Sequence, residues 1–439
     1  MPRKYFDTFK FNQTLTREIE QLNKKHKSKI VRFIKFELFI FFKFFKKRYY
    51  VKNRSELSLP SNTGYSIKDF NFDNLRLENL TNIVHDPNRL VISIQLDGGI
   101  GDCIACSVWI KFFKKQIKSI NDISVFVMNK TELSQGLFDG VSYVDRVFNR
   151  DDLDQDKINS SDIVIKFRRL PYFFKADLQK ISKLSPNLVE LIEKYRIFYI
   201  EHQKYYHSPI FDAELEQYSI LLGQNRIQQP DLLGLMGITA DDLAEIPIKK
   251  YSELEKLKFD LKYILERKYI TVGTSFDMAY AKKGASDVRA YPFDKLGRVI
   301  KKFKEINKDV LVVQLGGKEI DTLNGVDFNL TGKTNFESLK ILLKNSLVHV
   351  DNESGFVHLK HHLGGRSIVL FGPTPIDFYQ YKTDICIKGN GCCSWCEWVT
   401  DSWHFKCARG FAIPKCMSSI DESEILFALK SLISSSETA

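Results

Sequence analysis

The sequence predicts an α/β fold of two Rossmann-like, doubly wound domains facing a cleft, preceded by a basic helical extension. Three observations carry that reading. From Asn88 onward, short β-rich runs alternate with helical stretches, the pattern of parallel sheets covered by helices on both faces. Over residues 170–265 the alternation gives way to a mostly helical stretch rich in Tyr, Leu and Lys, and then restarts, so the pattern is written twice. The net charge of +11 lies in residues 1–60, where 16 Lys and Arg face 5 Asp and Glu, and the rest of the chain is neutral. A neutral folded part argues against a general nucleic-acid binder.

The 439 residues suit two to three domains at roughly 150 residues each. We place the extension and its linker at residues 1–66, the first domain at 67–265 and the second at 266–439, with a cysteine-rich segment at 386–420. Within the extension, "KIVRFIKFELFIFFKFFKKRYY" (Lys29 to Tyr50) reads as a helix. At 100° per residue, Arg32, Lys35, Lys43, Lys46 and Lys47 share about a third of its circumference, and Phe33, Ile34, Leu38, Phe41, Phe44 and Phe45 cover much of the rest. Such a helix suits an anionic membrane interface, although packing on the protein's own body or on another subunit would use the same residues. No uncharged apolar run reaches about 18 residues, so a transmembrane helix is not expected. With no cleavable signal pattern, the expected location is cytoplasmic, peripheral to the inner membrane face if the extension docks there.

In the first domain the strand-like runs are "RLVISIQL", "DISVFVMN", "VSYVDRVF" and "DIVIKF", with the helix "IACSVWIKFFKKQI" between the first two. The turn into that helix, "LDGGIGDCIAC", leaves four possibilities open: a phosphate cradle, a metal site, a disulfide or a catalytic acid. A dinucleotide fingerprint is not met, because Gly99-Ile-Gly101 lacks the third glycine. Cys103 and Cys106 lie on an apolar helix and are expected to pack in the core. Gly98, Gly99 and Gly101 provide a tight turn with room beside it, and Asp102 is the acid at the helix start.

In the second domain the strands are "KYITVGTS", "DVLVVQLGG", "LVHVDN" and "SIVLFGPT", with helices over "YPFDKLGRVIKKFKEI" and "NFESLKILLKNS". Ligands in such sheets sit beyond the carboxyl ends of the strands. There, "VHVDNESGFVHLKHHLGG" puts Ser354 and Gly355 at a helix start, where free N–H groups attract an anion; a plain serine cap gives the same pattern. His358 and His362, four apart, allow a zinc pair, but no acidic partner pattern accompanies them. Thr274, Ser275, Lys282, Lys283 and Arg289 follow the first strand of this half and suit phosphate contacts, or form a solvated basic loop. Farther on, "GCCSWCEWVTDSWHFKCARGFAIPKC" holds Cys393, Cys396, Cys407 and Cys416, a thiol set suited to a structural zinc or iron ion. Cys392 or His404 could replace one ligand, and reduced free thiols or disulfides are the alternatives.

Taken in order, "GGIGD", Arg289-x-Tyr291-Pro292, "LGGKE", "NLTGKT", "DNESGFVHL" and "LFGPT" resemble glycosyltransferase family 9, the lipopolysaccharide heptosyltransferases, over roughly residues 90–435. The resemblance implies a GT-B fold and an inverting glycosyltransferase. Asp102 would be the general base on the acceptor hydroxyl, with Gly98, Gly99 and Gly101 in the acceptor-side loop. Arg289, Ser354, Gly355 and His358 would hold the nucleotide-diphosphate sugar, ADP-heptose, with Thr274, Ser275, Lys283 and Glu319 as further contacts. No metal would be required at the diphosphate. The chain departs from the family at Arg289, usually Lys, at Tyr291, usually Trp, and at Glu353, usually Asp. The acceptor would be a lipopolysaccharide or other cell-surface glycan. The cysteine block resembles the iron finger of autotransporter heptosyltransferases, which makes protein an alternative acceptor. A noncatalytic nucleotide-sugar-binding protein of this fold is the alternative outside enzymes. Nucleic acid is not an expected partner.

Overall fold

The computed structural model describes residues 88–117, 121–127, 136–149, 158, 160–207, 212–248, 261–273, 288–317, 320–389, 396–397, 403 and 406–436. The extension, with its expected basic helix, lies outside the described residues.

The first sheet has the strand order β3-β2-β1-β4-β5. Its strands β1 (Leu90–Leu96), β2 (Asn121–Val127), β3 (Arg146–Asn149) and β4 (Ile163–Phe167) are parallel. β5 (Pro171–Ala176) runs antiparallel to β4. The helical expectation after residue 170 fails at β5. Phe167 pairs with Pro171 across a short hairpin, and a proline is tolerated at the first position of an edge strand. Helices over Leu178–Leu184 and Pro186–His202 then follow as expected.

The second sheet is wholly parallel, in the order β11-β10-β9-β6-β7-β8. Its strands are β6 (Tyr269–Gly273), β7 (Leu311–Leu315), β8 (Phe328–Asn329), β9 (His349–Asn352), β10 (Ser367–Phe371) and β11 (Ile385–Lys388). In both sheets the chain moves outward from the first strand, then returns to its other side, so strand order reverses at β1/β4 and at β6/β9. Each reversal opens a crevice at the carboxyl ends, where doubly wound sheets bind ligands. Two such sheets in one chain are the architecture expected from the sequence.

Helix α1 (Ile100–Gln116) buries residues on nearly all sides, because it is pressed between the first sheet and the second half. Trp109 is its largest anchor, stacked on Phe113 at 4.8 Å and donating to the Tyr195 hydroxyl at 3.0 Å. Cys103 and Cys106 are buried in the same core, as expected. That core continues into the second half through Phe336, Leu339, Leu342 and Leu359, so apolar packing joins the halves directly. A second core lies under α3 (Phe293–Ile306). Leu296, Val299, Ile300 and Phe303 form its buried stripe, spaced as one face of a helix requires. No helix among the described residues is long and apolar enough to cross a membrane.

Candidate active site

The carboxyl end of β1 turns through Gly98, whose φ of 141° is open to glycine but strained for other residues. A side chain there would collide with Asp102. Asp102 sits in the first turn of α1, and its Oδ2 accepts the Gly99 N–H at 2.8 Å. Its other oxygen forms an ion pair with Arg226, a nearly buried side chain. Arg226 is also tied across the cleft: its N–H donates to the Phe378 carbonyl at 2.9 Å, and its guanidinium lies 5.9 Å from the Phe378 ring centre. Phe378 belongs to the short helix α6 (Ile376–Tyr379).

On the donor-side sheet, β9 ends at Asn352 and leads through Glu353 and Ser354 into α5 (Gly355–His362), which follows α4 (Phe336–Asn345) in the chain. Ser354 is a true N-cap, accepting from the Phe356 N–H at 3.3 Å while its hydroxyl donates to Asp351 Oδ2 at 2.7 Å. The serine-cap reading therefore describes what its side chain does here. Glu353 is buried and bridges two partners. Its Oε1 is 3.1 Å from His358 Nε2 and its Oε2 is 3.8 Å from Arg289 Nη1. Burial would raise the Glu353 carboxyl, but the His358 hydrogen bond and the Arg289 and Arg226 cations outweigh it and hold the group below the usual carboxylate range. Arg289 also lies 5.7 Å from the Trp403 ring centre.

The two helix starts meet. A Cβ added at Gly101 would lie 2.7 Å from His358 Cδ2, and one added at Gly355 would lie 2.9 Å from Ile100 Cβ. The room expected beside Gly101 is thus filled by His358, and the close approach expected at Gly355 is that of Ile100. Asp102, Arg226, Glu353, His358 and Arg289 form one charged group spanning both halves. Thr274, Ser275, Lys282, Lys283 and Glu319 lie outside the described residues.

A second buried group adjoins the first, and sequence reading missed it. Arg169, just past β4, pairs with Asp212 at 3.4 Å; Asp212 opens helix α2 (Asp212–Leu221). From the same helix, Glu216 is 3.2 Å from the Tyr379 hydroxyl, which is also 3.2 Å from Glu397. One hydroxyl hydrogen cannot serve two carboxylates. Burial, with the Glu216 and Glu353 charges, pushes the Glu397 carboxyl well above its usual range, which favours its protonated form beside the Tyr379 hydroxyl. The signal for Arg169 was present in "KFRRLP", two arginines directly after a buried strand. Arg226, Glu216 and Glu397 carried no local pattern.

Of the expected metal ligands, Cys396, Cys407 and Cys416 are described, while Cys393, with Cys392 and His404, is outside the described residues. Cys416 is buried in the second core and Cys407 is buried as well. Among the described residues no three His, Cys, Asp or Glu side chains gather as a metal group. His358 and His362 do share a face of α5, but Tyr381 stands between them, which leaves no zinc pair there.

Residues 315–396 match the sequence model of glycosyltransferase family 9 (heptosyltransferase). The chain is 24% identical over 366 residues to lipopolysaccharide heptosyltransferase 1 of Campylobacter coli, covering 78% of this chain and 98% of that protein. Among solved structures it is similar to the E. coli ADP-heptose heptosyltransferase II, at 16% identity with a TM-score of 0.48 over 79% of this chain and all of that one (100%). It is also similar to TibC, an iron-containing dodecameric glycosyltransferase of enterotoxigenic E. coli, at 12% identity with a TM-score of 0.49 over 79% of this chain and 77% of that one.

Proposed function

We propose that this chain, a heptosyltransferase-like glycosyltransferase of the family 9 type, transfers heptose from ADP-heptose to a lipopolysaccharide or other cell-surface glycan, with Asp102 as general base. The observation that carries the reading is the meeting of the two helix starts, which sets the Asp102 carboxylate of one half beside the His358, Glu353 and Arg289 group of the other.

The chemistry follows from that juxtaposition. The acceptor hydroxyl oxygen attacks the anomeric carbon of the donor and forms the new C–O bond. The bond from that carbon to the diphosphate breaks, and its electron pair leaves on the phosphate oxygen. The hydroxyl proton passes to Asp102, whose carboxylate is aimed by the Gly99 N–H and by Arg226. Negative charge grows on the departing diphosphate, and the cation of Arg289 with the N–H groups at the start of α5 suits it. Because attack and departure occur on opposite faces, the product configuration is inverted. Ser354 acts in this scheme through its backbone, since its hydroxyl is engaged by Asp351.

A structural zinc or iron on Cys393, Cys396, Cys407 and Cys416 belongs to the same reading. Its support is the thiol spacing, and no step of the transfer passes through it. So does a peripheral position on the inner membrane face, supported by the basic, aromatic extension. The deciding experiment is mass spectrometry of the products formed from a panel of nucleotide sugars, with Asp102→Asn alongside. We expect ADP-heptose to give a heptosylated product. Asp102→Asn should lower turnover on the order of 10²–10⁴-fold while the donor still binds. An Asp102→Asn variant that transfers at the wild-type rate would remove Asp102 as the base.

A further inference from the structure

His358 stands at the end of a chain of hydrogen bonds that begins outside the donor half. The Ala244 N–H donates to His362 Nδ1 at 3.0 Å. His362 Nε2 lies 3.5 Å from the Tyr381 hydroxyl, which is 2.7 Å from His358 Nδ1. His358 Nε2 then meets Glu353 Oε1 at 3.1 Å. All these groups are buried.

Only one arrangement of protons satisfies every link with neutral rings. A backbone N–H can only donate, so His362 Nδ1 accepts and its proton sits on Nε2. Burial keeps His362 from taking a second proton, and the Ala244 N–H already occupies its Nδ1. His362 Nε2–H therefore points into the Tyr381 oxygen. Burial keeps the Tyr381 phenol protonated, and its own hydrogen turns toward His358 Nδ1. That leaves the His358 proton on Nε2, facing the ionised Glu353. Which nitrogen of a histidine is protonated is set by the hydrogen bond at the other, and here that bond is dictated from Ala244 inward.

We infer that Tyr381 and His362 are positioning residues that fix the His358 ring with its proton on Nε2 and thereby hold Glu353 beside Arg289. The inference rests on the functional reading above for its consequence in catalysis, but its structural content stands on the ring alone. If the ring flips tautomer, an unprotonated Nε2 faces a carboxylate and Glu353 loses its donor.

The test uses full-length protein carrying 15N-histidine and three variants. Long-range 1H–15N spectra assign the His358 tautomer, and steady-state kinetics with ADP-heptose follow kcat/KM. Wild type should show the Nε2–H form. Tyr381→Phe and His362→Leu should lose that single form and lower kcat/KM about tenfold, the loss of roughly one hydrogen bond's worth of positioning. His362→Gln should keep both, because a glutamine carbonyl can accept from Ala244 while its amide donates to Tyr381. A packing role alone predicts the reverse order, with leucine tolerated better than glutamine. The inference is overturned if Tyr381→Phe retains a pure Nε2–H ring, or if the tautomer is lost with no change in kcat/KM. A wild-type protein inactive on every nucleotide sugar would instead remove the functional reading, and the spectra would still decide the proton order.

Discussion

Replacing Gly101 by alanine adds one methyl group at the point where the two halves touch most closely. The new Cβ would sit 2.7 Å from His358 Cδ2 and 3.2 Å from His358 Nε2. Ordinary carbon contacts are about 3.5–4.0 Å, so the ring or the start of α1 must retreat by roughly 1 Å. The ring has little freedom to do so, being held by Tyr381 at 2.7 Å and Glu353 at 3.1 Å. Retreat of α1 instead moves Asp102, the next residue. Either way a group at the candidate site is displaced by ~1 Å, which costs on the order of 100-fold in rate, or about 2.7 kcal/mol of activation free energy. Stability should change less. Overpacking costs about 1–3 kcal/mol, and alanine regains up to ~1 kcal/mol of helix propensity over glycine. The assay is steady-state release of nucleoside diphosphate beside thermal melting, run as a double-mutant cycle with His358→Ala. Once the imidazole is gone the added methyl has room, so Gly101→Ala on the His358→Ala background should cost less than about threefold. Gly101→Ala within about threefold of wild type, or penalties that simply multiply, would refute the argument.

Lys340→Met should destabilise the protein by about 3 kcal/mol, because the ammonium is buried, pairs with Glu337 at 2.6 Å, and donates to the carbonyls of Gly136 at 3.1 Å and Pro247 at 2.6 Å; chemical denaturation measures it, and an unchanged midpoint counts against the role. Asp384 supplies a pH signature. Burial, opposed by the Ser367 N–H and Lys360, lifts its carboxyl from the ordinary 3.8 to about 7. A raised carboxyl favours the protonated folded state, so its contribution is complete below 3.8 and fades as pH rises to about 7. Asp384→Asn should flatten that decline in melting temperature, whereas parallel curves for the two proteins would contradict it. Metal analysis of anaerobically purified protein should find about one zinc or iron per chain, and a content below ~0.2 per chain would dismiss the thiol site.

Much of the fold was legible because its central strands are buried on both faces. Apolar residues fill most of "RLVISIQL" and "SIVLFGPT", more densely than the alternation of a half-exposed strand allows. The edges were harder to read. β8 has two residues and β11 four, too short to show a period, and β5 begins with a proline that argues against a strand until its edge position is known. The site divides in the same way. Asp102, Glu353 and His358 lie in or just after strand-to-helix turns with recognisable spacing, so the residues could be named before their geometry. What each glycine makes room for could not be read, because Gly101 meets His358 and Gly355 meets Ile100 across more than 250 residues of sequence. Arg226 is the clearest omission. It lies in "GQNRIQQP", a turn with no periodicity, and acquires its role only when Phe378 and Asp102 are brought to it.

The attachments between the halves also have a kinematic consequence. Lys340 is fastened to Gly136 and Pro247, His362 to Ala244, and Phe378 to Arg226. Two bodies joined at one point can swivel freely, and joined at two they can still turn about the connecting line. A third attachment off that line removes the last rotation. If turnover involves any rocking of one sheet against the other, at least one of these bonds has to be undone on every cycle. Each fastening adds to the barrier to opening, so substitutions at Lys340, which ties down two backbone carbonyls of the first half, become a way to change product release without touching a reacting atom.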